Sequence, residues 1–293
     1  MKNHGLLKKP YFVMGIVNMT SDSFYDGGRY ISASAALEHA FRLKEEGADI
    51  IDIGGSSSRP GAALLSAGEE IHRVIPVVSE LTKHIGLPVS VDTTWSATAR
   101  AALDAGASWI NDISAGRLDK LVAPITGWAG CTVVLTHSRH TPETMQDDPQ
   151  YKDVIAEVAE ELLAAVERFK EAGVSENKIV IDPGFGFAKT SEHNVALLNR
   201  LDKIARLGYP LMVGTSRKSF IGKITGRPVD ERLYGTLATI ATAYSKGARI
   251  FRVHDVKETV DFLKVLTATM HDSQCNAQCT IHNSQCTIGR EQG

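Results

Sequence analysis

Nearly every short apolar run in this sequence contains or ends in a residue that can donate, accept or carry charge. Asn18 closes the run 11–18, Asp52 lies in 49–54, Asp92 ends 88–92, and Asn111 and Asp112 lie in 109–113. His137 ends 131–137 and Asp182 ends 178–182. Ser216, Arg217 and Lys218 follow 210–214, while Arg252 and His254 lie in 249–254. One polar residue at a strand end is usually a cap or a turn former. Convergence from eight segments marks a site. Asp92, Asn111, Asp182 and Lys218 supply acceptors and donors suited to a flat heterocycle with an amide and amino groups. A carboxylate takes two N–H donors from a guanidine-like edge, and an amide side chain satisfies a mixed one. Arg252 and His254 alternate across Val253 and face one side of their strand, so with Arg59 they suit an anion such as pyrophosphate. Asn18 offers a neutral oxygen of the kind that shares Mg2+ with phosphate oxygens.

The elements that must position these residues alternate along the chain. Between the eight β-branched runs lie Ala-, Leu- and Glu-rich stretches with helical spacing, at 33–47, 68–84, 96–105, 153–172, 193–207, 230–246 and 256–270. Several close on glycine before the next apolar run, as at Gly47, Gly106 and Gly247, the expected helix stop. Only the stretch between the fourth and fifth runs is weakly helical by pattern. Eight strand and helix pairs in 293 residues predict a single-domain α/β fold, a (β/α)8 barrel of the TIM type, with a doubly wound open sheet as the rival. In such a barrel the carboxyl ends of the strands form the working face, which is where the polar residues fall.

Composition excludes several classes. The formal net charge is −2, with both signs interspersed, which argues against a nucleic-acid partner. No run approaches the roughly 18 apolar residues of a membrane span. Residues 1–10 form a lysine-dotted lead-in without a signal-peptide core, so the expected location is cytoplasmic. The barrel should occupy 11–270. Residues 271–293 read as a low-complexity tail, expected to be disordered, whose near-repeat carries Cys275, Cys279 and Cys286. With His282 these could form a Cys3His zinc set, but the repeat itself explains their spacing. Asp182 to Thr190 superficially suggests a phosphate loop and fails, because Pro183 and Ala188 stand where glycines are needed. No dinucleotide fingerprint follows the first run. Two glycine- and hydroxyl-rich loops, 20–28 and 54–62, read as mobile lids.

Taken together, Met14 to Gly28, Asp52-Ile-Gly-Gly, Arg59-Pro-Gly-Ala62, Val91-Asp-Thr93, Asn111-Asp-Ile113, Asp182 to Phe187, Ser216-Arg-Lys-Ser219 and Arg252-Val-His-Asp-Val256 resemble the dihydropteroate synthase family. The resemblance spans roughly residues 12 to 270, in the family's order. It implies condensation of 6-hydroxymethyl-7,8-dihydropterin pyrophosphate with p-aminobenzoate, pyrophosphate leaving first with Mg2+ assistance, in a sulfonamide-targeted homodimer. It further implies pterin on Asp92, Asn111, Asp182 and Lys218, and pyrophosphate on Asn18, Arg59, Arg252 and His254, with Asn18 on the metal side. The p-aminobenzoate would lie near Phe24, Ser58, Pro60, Phe187, Lys218 and Ser219. Arg59, Lys218, Arg252 and His254 would be catalytic, by stabilising the leaving anion while the pterin cation is shielded from water.

The sequence departs from the family pattern chiefly in its loops. Ser56 stands for a usual Glu, Ser58 for Thr, Ser21 for Pro, Tyr25 for Ser and Trp95 for a polar residue. Ser138 and His140 alter the segment after the fifth run, and Ala188 stands for Gly. These changes bear on p-aminobenzoate affinity and sulfonamide sensitivity more than on the reaction. The alternatives are a catalytically silent pterin-binding paralogue and a pterin-dependent methyltransferase. The latter has no use for an Arg-x-His anion strand.

Overall fold

The structure is a computed structural model that describes residues 9–19, 32–56 and 61–282, with side chains as far as 270. Eight strands run parallel: β1 (Phe12–Asn18), β2 (Ile50–Gly54), β3 (Val89–Asp92), β4 (Trp109–Asp112), β5 (Thr132–Thr136), β6 (Ile179–Asp182), β7 (Met212–Val213) and β8 (Ile250–Val253). Their order is β6-β5-β4-β3-β2-β1-β8-β7. A single parallel bridge, Ile181 to Leu211, joins the two ends. The sheet is therefore a closed ring, the expected (β/α)8 barrel rather than an open doubly wound sheet.

The alternation of side chains along each strand builds two cores. Met14, Ile50, Trp109, Val134, Val180, Met212 and Ile250 point into the lumen and form one buried cluster. Their neighbours, among them Val13, Ile51, Val91, Ile110, Val133 and Phe251, point outward into the large core shared with the helices. Two residues further along, the same inward face carries Asp52 after Ile50, Asn111 after Trp109, Asp182 after Val180 and Arg252 after Ile250. A polar layer thus rests directly on an apolar floor.

The helices are α1 (Ala33–Glu45), α2 (Ala67–His84), α3 (Ser96–Asp104), α4 (Val122–Ala129), α5 (Val154–Glu171), α6 (Ser191–Asn199), α7 (Leu201–Ala205), α8 (Ser219–Thr225), α9 (Leu233–Ser245) and α10 (Val256–His282). Their starts are chemically marked. Ser66 and Glu69 form a reciprocal capping box on α2, and the Asp153 side chain accepts from two backbone N–H groups of α5. Gly47, Gly106 and Gly247 adopt φ of 101°, 98° and 104° after their helices, which only glycine does cheaply.

The structure adds detail at four places. The stretch read as one helix over 193–207 is two, because Arg200 leaves helical geometry at φ −118° and ψ 24°. The weakly helical stretch forms the short α4, and an unexpected α8 starts at Ser219. The boundary at 270 is crossed by α10, which continues to His282, while 283–293 lie outside the described residues. The same is true of the side chains of the three tail cysteines. Cys131 is buried, and burial pushes its thiol up to about 11, so it stays protonated. Among the described residues, no helix is long and apolar enough to cross a membrane.

Candidate active site

The centre of the barrel mouth is one cation between two carboxylates. Arg252 on β8 donates through Nε to Asp52 Oδ2 at 2.7 Å and through Nη2 to Asp92 Oδ2 at 2.8 Å. Asn111 Nδ2 donates to the same Asp52 oxygen at 3.2 Å. The Asp52 side chain has no exposure, and those of Asp92 and Arg252 retain 10% and 16%. Burial disfavours the Asp92 carboxylate, and neighbouring Arg252 only partly offsets this, so its pKa rises to about 7. Burial also opposes the charge on Arg252, yet Asp52 and Asp92 hold its pKa above the usual value. Two buried acceptors here, Asp52 Oδ1 and Asn111 Oδ1, have no partner among the described residues. Such atoms cost roughly 1–3 kcal/mol each until a donor arrives.

Asp182 and Lys218 form the opposite wall. Asp182 Oδ1 accepts from the Gly184 backbone at 2.7 Å. Burial raises its pKa to about 6 against that bond and the pull of Lys218. Lys218 lies at the N-cap of α8, with Nζ 4.2 Å from the centre of the Phe187 ring. Burial first, then Arg252, lowers the Lys218 pKa to about 8. Gly186 is at φ 79°, and a Cβ there would come within 3.0 Å of Lys218 Cδ, so glycine lets the loop close on the lysine. Ser219 is the first, exposed residue of α8 beside them.

Two of the anion-side residues, Asn18 and His254, meet at the seam of β1 and β8. Asn18 and His254 line one cavity of about 310 Å³ together with Arg217. His254 Nδ1 is 3.0 Å from Ser216 Oγ, which also accepts from the His254 backbone N–H. Burial, then Arg252 and Arg217, push His254 down to about 3, so the imidazole is neutral at physiological pH. Arg217 itself is committed to Asp255, donating from Nε at 3.0 Å.

Asp52, Glu70 and Lys189, whose partners are not evident from the sequence, are all buried. Glu70 accepts from Ser56 at 3.1 Å and from Thr93, and so joins the root of the second loop to the residue after Asp92. Arg73 donates to the carbonyls of Met19, at 3.3 Å, and Gly55, at 2.7 Å, one on each loop root. Trp95 Nε1 donates to Leu65 O at 2.9 Å, tying the segment before α2 to the end of β3. Of the expected site residues, Asn18, Asp92, Asn111, Asp182, Phe187, Lys218, Ser219, Arg252 and His254 lie on strand ends and loops of this one face. Phe24, Ser58, Arg59 and Pro60 lie outside the described residues.

The chain matches the pterin binding enzyme family over residues 14–254, so fold and mouth together define a pterin-binding barrel enzyme. It is 44% identical over 264 residues to the dihydropteroate synthase of Bacillus subtilis, the match covering 90% of each chain. With that of Mycobacterium leprae it shares 45% over 269 residues, 89% of this chain and 94% of the relative. Among solved structures, a Yersinia pestis dihydropteroate synthase in a sulfonamide drug complex superposes with a TM-score of 0.85 at 41% identity, covering 89% of this chain and 94% of that one. A Xanthomonas albilineans dihydropteroate synthase with 4-aminobenzoic acid gives 0.83 at 44%, covering 90% and 94%. The chain belongs to the dihydropteroate synthase family, transferases of folate biosynthesis.

Proposed function

We propose that this mouth joins 6-hydroxymethyl-7,8-dihydropterin pyrophosphate to p-aminobenzoate, with pyrophosphate departing first. The observation that carries the reading is the polar layer of Asp92, Asn111, Asp182 and Lys218 above a closed apolar floor. Asp92 and Asp182 accept the amino and ring N–H groups of the pterin, and the buried Asn111 oxygen gains the donor it lacks. A bound guanidine-like edge favours the ionised carboxylate and brings the raised Asp92 pKa down.

Arg252 and His254, with Arg59 and Asn18, receive the pyrophosphate. Neutral His254 enters as an N–H donor, and the arriving anion draws a proton onto it. Asn18 fits Mg2+ as a single amide oxygen, the other positions being left to pyrophosphate and water. Magnesium typically takes few protein ligands. When bound, it supplies positive charge against the leaving group. The floor and the Phe187 wall exclude water from the pterin cation until the arylamine arrives. Phe187, Lys218 and Ser219, with Phe24, Ser58 and Pro60, form the p-aminobenzoate side, which is also where a sulfonamide would compete.

The protein acts in the cytoplasm as a homodimer. Ile224, Val229 and Tyr234, between α8 and the start of α9, are 64%, 49% and 83% exposed, apolar surface of the kind a second copy would cover. Pyrophosphate release that requires p-aminobenzoate, with Mg2+ present, tests the assignment. Pterin binding without release would instead mark a silent paralogue, and a methyl-folate requirement a methyltransferase.

A further inference from the structure

The 182–190 loop contains a buried cation that none of the steps above uses. Lys189 is 3% exposed. Its Nζ lies 2.9 Å from His137 Nδ1, 3.1 Å from Gly184 O and 3.0 Å from Phe187 O. An ammonium has three N–H donors, and here each has one acceptor. With its Nδ1 accepting, His137 carries its proton on Nε2, which lies 3.0 Å from Glu161 Oε2. Arg139 completes the chain by donating from Nε to Glu161 Oε1 at 2.9 Å. A charged relay thus runs from α5 on the barrel's outside to the two loop carbonyls that flank Phe185 and Gly186. The rest of the loop is pinned as well: Gln146 donates to Gly186 O at 2.8 Å and Tyr151 to Ala188 O at 3.0 Å.

We propose that Lys189 is a positioning residue for the arylamine half of the reaction, its ammonium fixing the Gly184 and Phe187 carbonyls and so the wall that Phe187 and Lys218 present to the incoming amine. This rests on the p-aminobenzoate site proposed above. The relay also makes the wall responsive to pH. Burial brings the Lys189 pKa down to about 7, Asp182 and Glu161 raise it, and Arg139 and Lys218 lower it further. Neighbouring His137 is neutral, lowered to about 4 by burial and by Lys189. Loss of one proton from Lys189 leaves three acceptors facing two N–H donors, and the wall loosens.

The test measures KM for each substrate against pH in the full-length enzyme and in Lys189→Met, Glu161→Gln and Phe187→Ala. In the wild type, KM for p-aminobenzoate should rise through neutral pH by about tenfold, the worth of roughly one hydrogen bond, while KM for the pterin follows the titration of Asp92 and Asp182 and not that of Lys189. Glu161 lies at the solvent-facing end of the relay, so Glu161→Gln keeps the fold while removing a charge that supports the lysine ammonium. Its p-aminobenzoate limb should move to lower pH. Lys218, also titrating near this range, is not among the groups Glu161 acts on, so a shifted limb reports Lys189. Lys189→Met should hold the high KM at every pH. The proposal is overturned if the Glu161→Gln limb stays at the wild-type pH, or if the two KM values move together in Lys189→Met. If Phe187→Ala leaves KM for p-aminobenzoate unchanged, the arylamine site itself is misplaced; if it raises that KM while Lys189→Met does not, only the positioning role fails.

Discussion

Arg252 reaches over the intervening β1 to Asp52, its Nε 2.7 Å from the carboxylate although the two residues lie 200 positions apart in the chain. The same guanidinium holds Asp92 at 2.8 Å, so the residue expected to meet pyrophosphate also ties together three strands of the mouth. Removing one partner of a buried pair leaves the other charge uncompensated. Asp52→Asn should therefore lower stability by about 3 kcal/mol in urea unfolding and kcat/KM by at least about tenfold. A variant with unchanged stability and unchanged turnover would show that Asp52 is idle.

Asp92 gives a signed pH dependence. Its folded pKa, about 7, lies above the ordinary carboxylate value of 3.8 that holds in the unfolded chain, so the folded state holds the proton more tightly. The associated stability is fully present below the unfolded value and is lost as pH rises from there to the folded value. Asp92→Asn should flatten the fall in stability between those limits, measured by chemical denaturation in a pH series. The same variant should weaken pterin binding about a hundredfold, two N–H acceptors being reduced to one. A stability profile unchanged from wild type would disprove the assignment.

His254 is neutral in the free protein, lowered to about 3 by burial and by Arg252 and Arg217. An anion between Asn18 and His254 reverses that balance, so pyrophosphate binding should take up protons. Calorimetry at pH 6 in buffers of different ionisation enthalpy should show a net proton uptake greater in the wild type than in His254→Gln by up to about one proton. Equal uptake in both proteins would place the proton elsewhere.

Trp95 holds Leu65 O at 2.9 Å, a contact that a usual polar residue at this position would not make in the same way. Trp95→Phe keeps the ring and removes the donor. The segment between the second loop and α2 should loosen, costing about 1 kcal/mol and several-fold in KM for p-aminobenzoate. Steady-state kinetics with both substrates would reveal whether the pterin KM instead carries the change.

Ser58 stands where the family pattern has Thr, within the proposed p-aminobenzoate side. Ser58→Thr, alone and with Ser56→Glu, should change the sulfonamide Ki relative to KM for p-aminobenzoate by several-fold, since a methyl group in a pocket is worth roughly 1 kcal/mol or more. An unchanged ratio in both variants would remove these two positions from the discussion of drug sensitivity.

The barrel was readable because most strands announce themselves twice, by an apolar run and by a polar residue in it or at its end. The short elements were not. α4 contains Pro124 and Gly127 and has no side-chain cap, so only packing makes it a helix. The break at Arg200 has neither proline nor glycine to announce it. In the site, the residues facing the mouth could be named from their positions at strand ends. Their partners could not: Asp52 meets Arg252 only once the ring has closed. Lys189 lies in a segment whose glycine spacing excludes a phosphate loop, and nothing in the local sequence says that its side chain turns inward to His137.

The ring itself has a clasp. Between β6 and β7 the only sheet pairing is the Ile181–Leu211 bridge, whereas β1 and β2 register over five residue pairs. Asp182 ends β6 and Lys218 follows β7, one on either side of that clasp, so a pterin held by both would span the joint. A substrate bound in that way would act as a structural member of the barrel, fastening it where the sheet pairing is thinnest.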